Sequence, residues 1–170
     1  MKISDYIIDY LIKQGVNHIF GIPGGVVLDF VNSASKREEI SLHLNFHEQC
    51  SAYAAVGFSQ VNGKLCVAYS TKGPGLTNMI TAIADAYYDS IPSIFITSHS
   101  KKFFISNKRS IAKQEFDSIE LVNKITKYSA CIESGEMVRE ALEYACNIAI
   151  TERPGPVFLD FLSGLFSNEI

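Results

Sequence analysis

A single carboxylate raises the first question about chemistry. Glu48 stands in NFHEQCSAYAAVGFSQ, residues 45–60, where a strand-like run around Leu42 and Leu44 stops and an alanine-rich run begins. An acidic residue at the mouth of an otherwise small, apolar helix is either a working carboxyl or a residue that merely suits a helix start. In the second case the macrodipole favours it by a fraction of a kcal/mol. Three further segments are rich in Gly, Pro or short polar residues: GIPGG (21–25), TKGPG (71–75) and TSHS (97–100). GIPGG departs from the GxGxxG dinucleotide pattern, and TKGPGLTN lacks the order of a P-loop, so tight turns alone would account for both. His47 and His99 suit a polar surface as well as they suit catalysis. No Ser or Cys sits in a nucleophile elbow.

The elements that must position these residues alternate from end to end. Ser4 is expected to cap a helix with apolar Ile7, Ile8, Leu11 and Ile12, which Gly15 stops. HIFGIP follows, then a helical stretch from about 26 to 35. SLHLN reads as a strand, 47–61 as a helix, KLCVAYS as a strand apolar on both faces, and 75–88 as a helix. PSIFITS shows no alternation, which suits a strand buried on both sides. Residues 99–115 read as a long polar loop, 116–123 as a short helix, then ITKYSACI, helix 135–151 and strand PVFLDF after ERPGP. Strands separated by helices, with doubly apolar strand runs, predict an α/β fold: a doubly wound, mostly parallel sheet with helices on both faces. In such a sheet, sites form where strands end and helices begin. GIPGG, Glu48, TKGPG and TSHS all fall on that edge.

Composition narrows the classes. At 170 residues the chain is expected to form one domain, 1–170. With 47% hydrophobic and 19% charged residues it folds on its own core. A net charge of −3, with no basic cluster beyond Lys101-Lys102 and Lys108-Arg109, argues against nucleic acid. Cys50, Cys66, Cys131 and Cys146 form no CxxC pair and read as reduced core thiols, so a cytoplasmic location is expected. Asp5 and Asp9 interrupt any signal peptide, and no apolar run reaches the ~18 residues of a membrane span.

Taken together, GIPGGVVLDF, HEQCSAYAAVGFSQVNGK, STKGPGLTNMITAIADAYYDSIP and ERPGPVFLDF resemble, in this order, the N-terminal pyrimidine-binding (Pyr) domain of thiamine diphosphate enzymes of the acetolactate synthase type. The resemblance covers nearly the whole chain and weakens over 98–125. It implies that Glu48 is the cofactor-activating glutamate. That residue hydrogen-bonds N1′ of the aminopyrimidine and favours the imino tautomer, whose nitrogen takes the proton from thiazolium C2. Pro23, Gly24 and Gly25 match the segment approaching the thiazolium. Gly73, Pro74, Gly75 and Asn78 match the loop and helix start beside the pyrimidine. On the substrate side, His99 stands where the family usually carries Gln, and Lys113, before Gln114, where it carries Phe. Lys72 replaces a Ser.

The resemblance also implies partners. Only the pyrimidine end of the cofactor would meet this chain. The family holds the diphosphate through Mg²⁺ on a diphosphate-binding (PP) domain carrying Gly-Asp-Gly, and this sequence has no Gly-Asp-Gly. The missing half is expected in the same longer chain, towards which GPVFLDFLSGLFSNEI looks like the exit, or in a partner subunit. The latter would make the chain the alpha subunit of a split sulfopyruvate or phosphonopyruvate-type decarboxylase. A homodimer through Pyr-domain helices is implied, FAD is possible as in some relatives, and a non-catalytic dimerisation or ligand-binding module stays open.

Overall fold

The computed structural model describes residues 1–99, 114 and 116–170. Helix α1 (Ile3–Lys13) forms because Ile3, Ile7, Ile8 and Leu11 recur at three- and four-residue spacing and bury one stripe. Its cap position is Lys2, not Ser4. Ser4 lies inside the first turn, fully buried, with its hydroxyl 2.9 Å from that of Ser33, so tertiary hydrogen bonding claims the side chain that capping would have used. The expected helix 26–35 divides into a 3₁₀ turn, Gly25–Val27, and α2 (Leu28–Ala34). Helices α3 (Glu48–Asn62), α4 (Pro74–Tyr88), α5 (Ser118–Val122) and α6 (Gly135–Ile150) fall close to the spans read from sequence.

The strands are β1 (His18–Gly21), β2 (Ser41–Leu44), β3 (Cys66–Tyr69), β4 (Ser93–His99), β5 (Tyr128–Ile132) and β6 (Pro156–Leu162). They form one sheet in the order β2-β1-β3-β4-β6-β5, with every pairing parallel. β3 and β4 are buried along their whole length, as their unbroken apolar runs predict. Edge strand β2 departs from its expected alternation: Leu42 packs on the core while Leu44 is exposed.

Side chains alternate between two cores. Val67, Tyr69, Ile94, Ile96, Val157, Leu159 and Phe161 meet the buried stripes of α1, α2 and α6. Cys66, Ala68, Phe95 and Phe158 meet those of α3 and α4, with Val122 of α5. The chain runs from β1 outward to β2, then returns to place β3 on the other side of β1. The topological switch point therefore lies between the C-terminal ends of β1 and β3, where doubly wound folds open a crevice.

The four cysteines are not joined in disulfides. Cys66 and Cys146 are core residues whose burial pushes both thiols up to about 12. Cys50 is exposed in the first turn of α3 and Cys131 is half-buried, so two of the four depart from the expected core placement. No helix among the described residues is long and apolar enough to cross a membrane.

Candidate active site

GIPGG leaves β1 and STKGPG leaves β3, so the switch point sets the two segments against each other. Their glycines answer first to packing. A Cβ on Gly21 would lie 2.3 Å from the Tyr69 ring, and one on Gly24 would lie 2.3 Å from Thr71 Cγ2. A Cβ on Gly75 would stand 3.0 Å from Thr71 Oγ1. The two loops thus approach at a distance that side chains would forbid. Gly25 differs, with open space around its would-be Cβ, and it is exposed together with Pro23.

Gly73 is the tightest position. Its φ of +63° suits glycine, and a Cβ there would meet the Gln114 carbonyl oxygen at 1.9 Å. It precedes exposed Pro74, which opens α4 at a position where a missing N–H costs nothing. Gln114 is itself exposed, with φ at 57°. Lys113 lies outside the described residues, as do Lys101-Lys102 and Lys108-Arg109.

Glu48 occupies the first turn of α3, yet it is not the cap. His47 holds that position, its Nδ1 accepting from the Gln49 N–H at 3.2 Å. The Glu48 carboxylate turns sideways to α4, where Oε2 accepts from Asn78 Nδ2 at 2.9 Å. Among the described residues this is its side-chain partner. Glu48 is half-buried, so the residue keeps part of its surface open to solvent. The apolar backing of α3 against α4 holds the pair in place. Ala52, Ala55 and Val56 pack in one cluster with Leu76, Met79 and Ala82.

His99 does not lie in a loop. It ends β4 and is only 3% exposed, its Nδ1 3.5 Å from Asp160 Oδ1. Asp160, 1% exposed, accepts from Thr97 Oγ1 at 2.8 Å and from the Ser118 hydroxyl. Ser118 is fixed by α5, whose N-cap Asp117 accepts from the Glu120 N–H. A small cavity lined by Lys72, Gly73, Leu76, Ser98 and His99 opens beside these groups. TSHS includes Thr97, but reading the sequence alone did not single out Asp160 or Ser118. The available signal was one Asp inside the otherwise apolar run PVFLDFL, since a carboxylate buried in such a strand needs partners.

Comparison with known proteins follows the same lines. The family described as thiamine pyrophosphate enzyme, N-terminal TPP binding domain, matches residues 1–121. A probable acetolactate synthase large subunit of Methanocaldococcus jannaschii is 40% identical over 170 residues, which is 100% of this chain and 28% of that protein. The acetolactate synthase isozyme 2 large subunit of Escherichia coli is 38% identical over 160 residues, 94% of this chain and 28% of its own length. The chain therefore spans about 28% of the length of these relatives. With that match, and with a doubly wound parallel sheet carrying Glu48 on its C-terminal edge, the chain belongs to the N-terminal TPP binding domain family of thiamine pyrophosphate enzymes.

Proposed function

We propose that this chain forms the pyrimidine-side half of a thiamine diphosphate site in an acetolactate synthase-like 2-keto-acid decarboxylase or carboligase, with Glu48 as the activating acid–base residue. The observation that carries the reading is the Glu48–Asn78 pair, a carboxylate that does not cap its own helix and is held to the first turns of α4 instead. The residues fit the group. The half-buried carboxylate has one oxygen fixed by an amide, and the loop after β1 leaves open space at Gly25.

Thiamine diphosphate supplies, when bound, the electron sink that decarboxylation of a 2-keto acid requires. Glu48 holds and shares a proton with N1′ of the aminopyrimidine. Asn78 fixes the carboxyl rotamer, so the proton is presented in one direction. Pro23, Gly24 and Gly25 bound the thiazolium side of the crevice, and Gly73, Pro74 and Gly75 its pyrimidine side. Of the substrate-side residues that the resemblance implies, Gln114 is exposed beside Gly73, whereas His99 is buried against Asp160. The diphosphate and Mg²⁺ are held on a PP domain outside these residues, so the 170 residues alone turn over no 2-keto acid.

Assembly follows from what α3 and its approach leave uncovered. Phe46 is fully exposed, Leu44, Tyr53 and Val61 are exposed, and so are Tyr87 and Tyr88 on α4. Apolar area of this kind is covered by a second copy about a two-fold axis.

The test uses the longer protein or a reconstituted pair. Glu48→Gln should slow exchange of the cofactor's C2 proton, and turnover, by about 10²- to 10⁴-fold, or roughly 3 to 5 kcal/mol of barrier. Cofactor binding should change far less, because the diphosphate anchors it elsewhere. Wild-type exchange and turnover in Glu48→Gln would return the residue to a simple helix start.

A further inference from the structure

We infer that His99, Cys131 and Asp160 form a binding site for a borderline-soft divalent cation of the Zn²⁺ class, separate from any Mg²⁺ brought with diphosphate. The parallel register builds it. Thr97 on β4 and Cys131 on β5 are both partners of Asp160 on β6, one on each side. Strand alternation places His99, two residues beyond Thr97, on the same face. One imidazole nitrogen, one sulfur and one carboxylate oxygen thereby lie within 4.8 Å of one another.

Two features of the His99 ring point to a ligand there. First, neither ring nitrogen of His99 makes a hydrogen bond among the described residues, although the side chain is buried. Buried polar atoms of native proteins are satisfied in the great majority of cases, so this imidazole is aimed at something. Second, the 3.5 Å from Nδ1 to Oδ1 is longer than the ~2.7–2.9 Å of a charge-assisted hydrogen bond. It matches the spacing of about 3.3–3.6 Å between two ligands on a tetrahedral ion bound at ~2.0–2.3 Å.

The surroundings suit an ion as well. The Thr97 and Ser118 hydroxyls donate to Asp160 and fix its carboxylate, the arrangement by which a second layer of groups orients a metal ligand. An N, S, O donor set selects Zn²⁺ or Co²⁺ over Mg²⁺, which prefers oxygen alone. His99 and Asp160 also line a small cavity together with Lys72, Gly73 and Ser98, and Cys131 lies outside that lining.

The experiment titrates the chelator-stripped chain with Zn²⁺ by calorimetry and with Co²⁺ by absorption, in excess Mg²⁺. One equivalent should bind, and Co²⁺ should give the intense visible bands of a tetrahedral site with a thiolate-to-metal charge-transfer band. Cys131→Ser should abolish that band, and Cys131→Ser and His99→Gln should each weaken binding by at least about tenfold. Cys50→Ser, which alters an exposed thiol elsewhere, should change nothing. Far-ultraviolet circular dichroism of the stripped variants confirms folding, and the wild-type Co²⁺ spectrum stands regardless of how the variants fold. Absence of stoichiometric binding, a spectrum without thiolate ligation, or affinity unchanged in both ligand variants would overturn the site. So would a loss of binding in Cys50→Ser.

Discussion

Glu48 and Asp160 stand at the same edge of the same sheet and live in opposite conditions. Asp160 is almost wholly out of solvent, on a central strand, with hydroxyls from two other elements donating to it. Glu48 begins a helix beside the switch point, half-buried, with one amide donor. The buried carboxylate is bound into the fold and couples β4, β6 and α5. The half-buried one is held just firmly enough to point. A carboxylate that the fold needs is surrounded by donors, whereas one proposed to meet an organic cofactor keeps part of its surface open, and the difference can be measured.

The widest separation is expected in unfolding free energy. Asp160→Ala leaves two buried hydroxyls without their acceptor and opens a void, and should cost at least about 3 kcal/mol. Glu48→Ala should stay within about 1 kcal/mol, since it loses one partly solvated hydrogen bond and a dipole contact. Urea unfolding of both variants in one buffer, without metal, decides the matter. Equal losses would dissolve the contrast.

Gly73 tests what the two sites share, because it borders the Asp160 cavity and also starts the helix that carries Asn78 to Glu48. Gly73→Ala combines a left-handed φ with a collision against the Gln114 carbonyl, and should destabilise by about 2 kcal/mol. A melt unchanged from wild type would show that the Gln114 backbone gives way. Asn78→Ala sharpens the Glu48 side alone. It should cost about 1 kcal/mol of stability and, in the longer protein, lower turnover less than Glu48→Gln does. A loss as large as that of Glu48→Gln would make the amide part of the proton chemistry.

The smallest effect comes from a third carboxylate, on the other face of the sheet. Asp5 is held below its usual pKa chiefly by the Ser33 hydroxyl, against the opposing pull of burial, and then by Arg37 at 3.2 Å. A depressed folded-state pKa contributes stability that is complete above the unfolded value near 3.8 and is lost as pH falls through the folded one. Arg37→Met should therefore reduce stability near neutrality by less than about 1 kcal/mol, with the gap to wild type closing below pH about 4. A gap that stays constant down to pH 2 would assign the loss to packing.

Much of this was legible in the sequence, for reasons that can be named. The doubly apolar runs CVAY and SIFITS announce central parallel strands because period-two alternation vanishes where both faces are covered. Glu48 stood out against its small, apolar neighbours, but only the resemblance, not its position, gave it a role. Contacts set by register were not legible. His18 and His43 are 25 residues apart, and only the pairing of Phe20 with His43 reveals that the two rings meet, nitrogen to nitrogen, at 2.7 Å. His99 looked like a loop residue because TSHS is polar, but the sheet carries β4 through it and Asp160 supplies a buried acidic neighbour. Ser4 has the chemistry of a cap and lost that role to a hydroxyl contact 29 residues away.

The order of the strands has a consequence for the chain during its own synthesis. β6, last in sequence, occupies the slot between β4 and β5. Until Pro156–Leu162 leaves the ribosome, β5 has no neighbour and β4 keeps a bare edge of buried-type residues. Nothing shorter can close the sheet, so every nascent chain passes through an interval with an open, sticky edge, the state in which strands find wrong partners. Chaperone dependence should fall abruptly once about ten to fifteen residues beyond position 150 have emerged, when β6 can enter its slot.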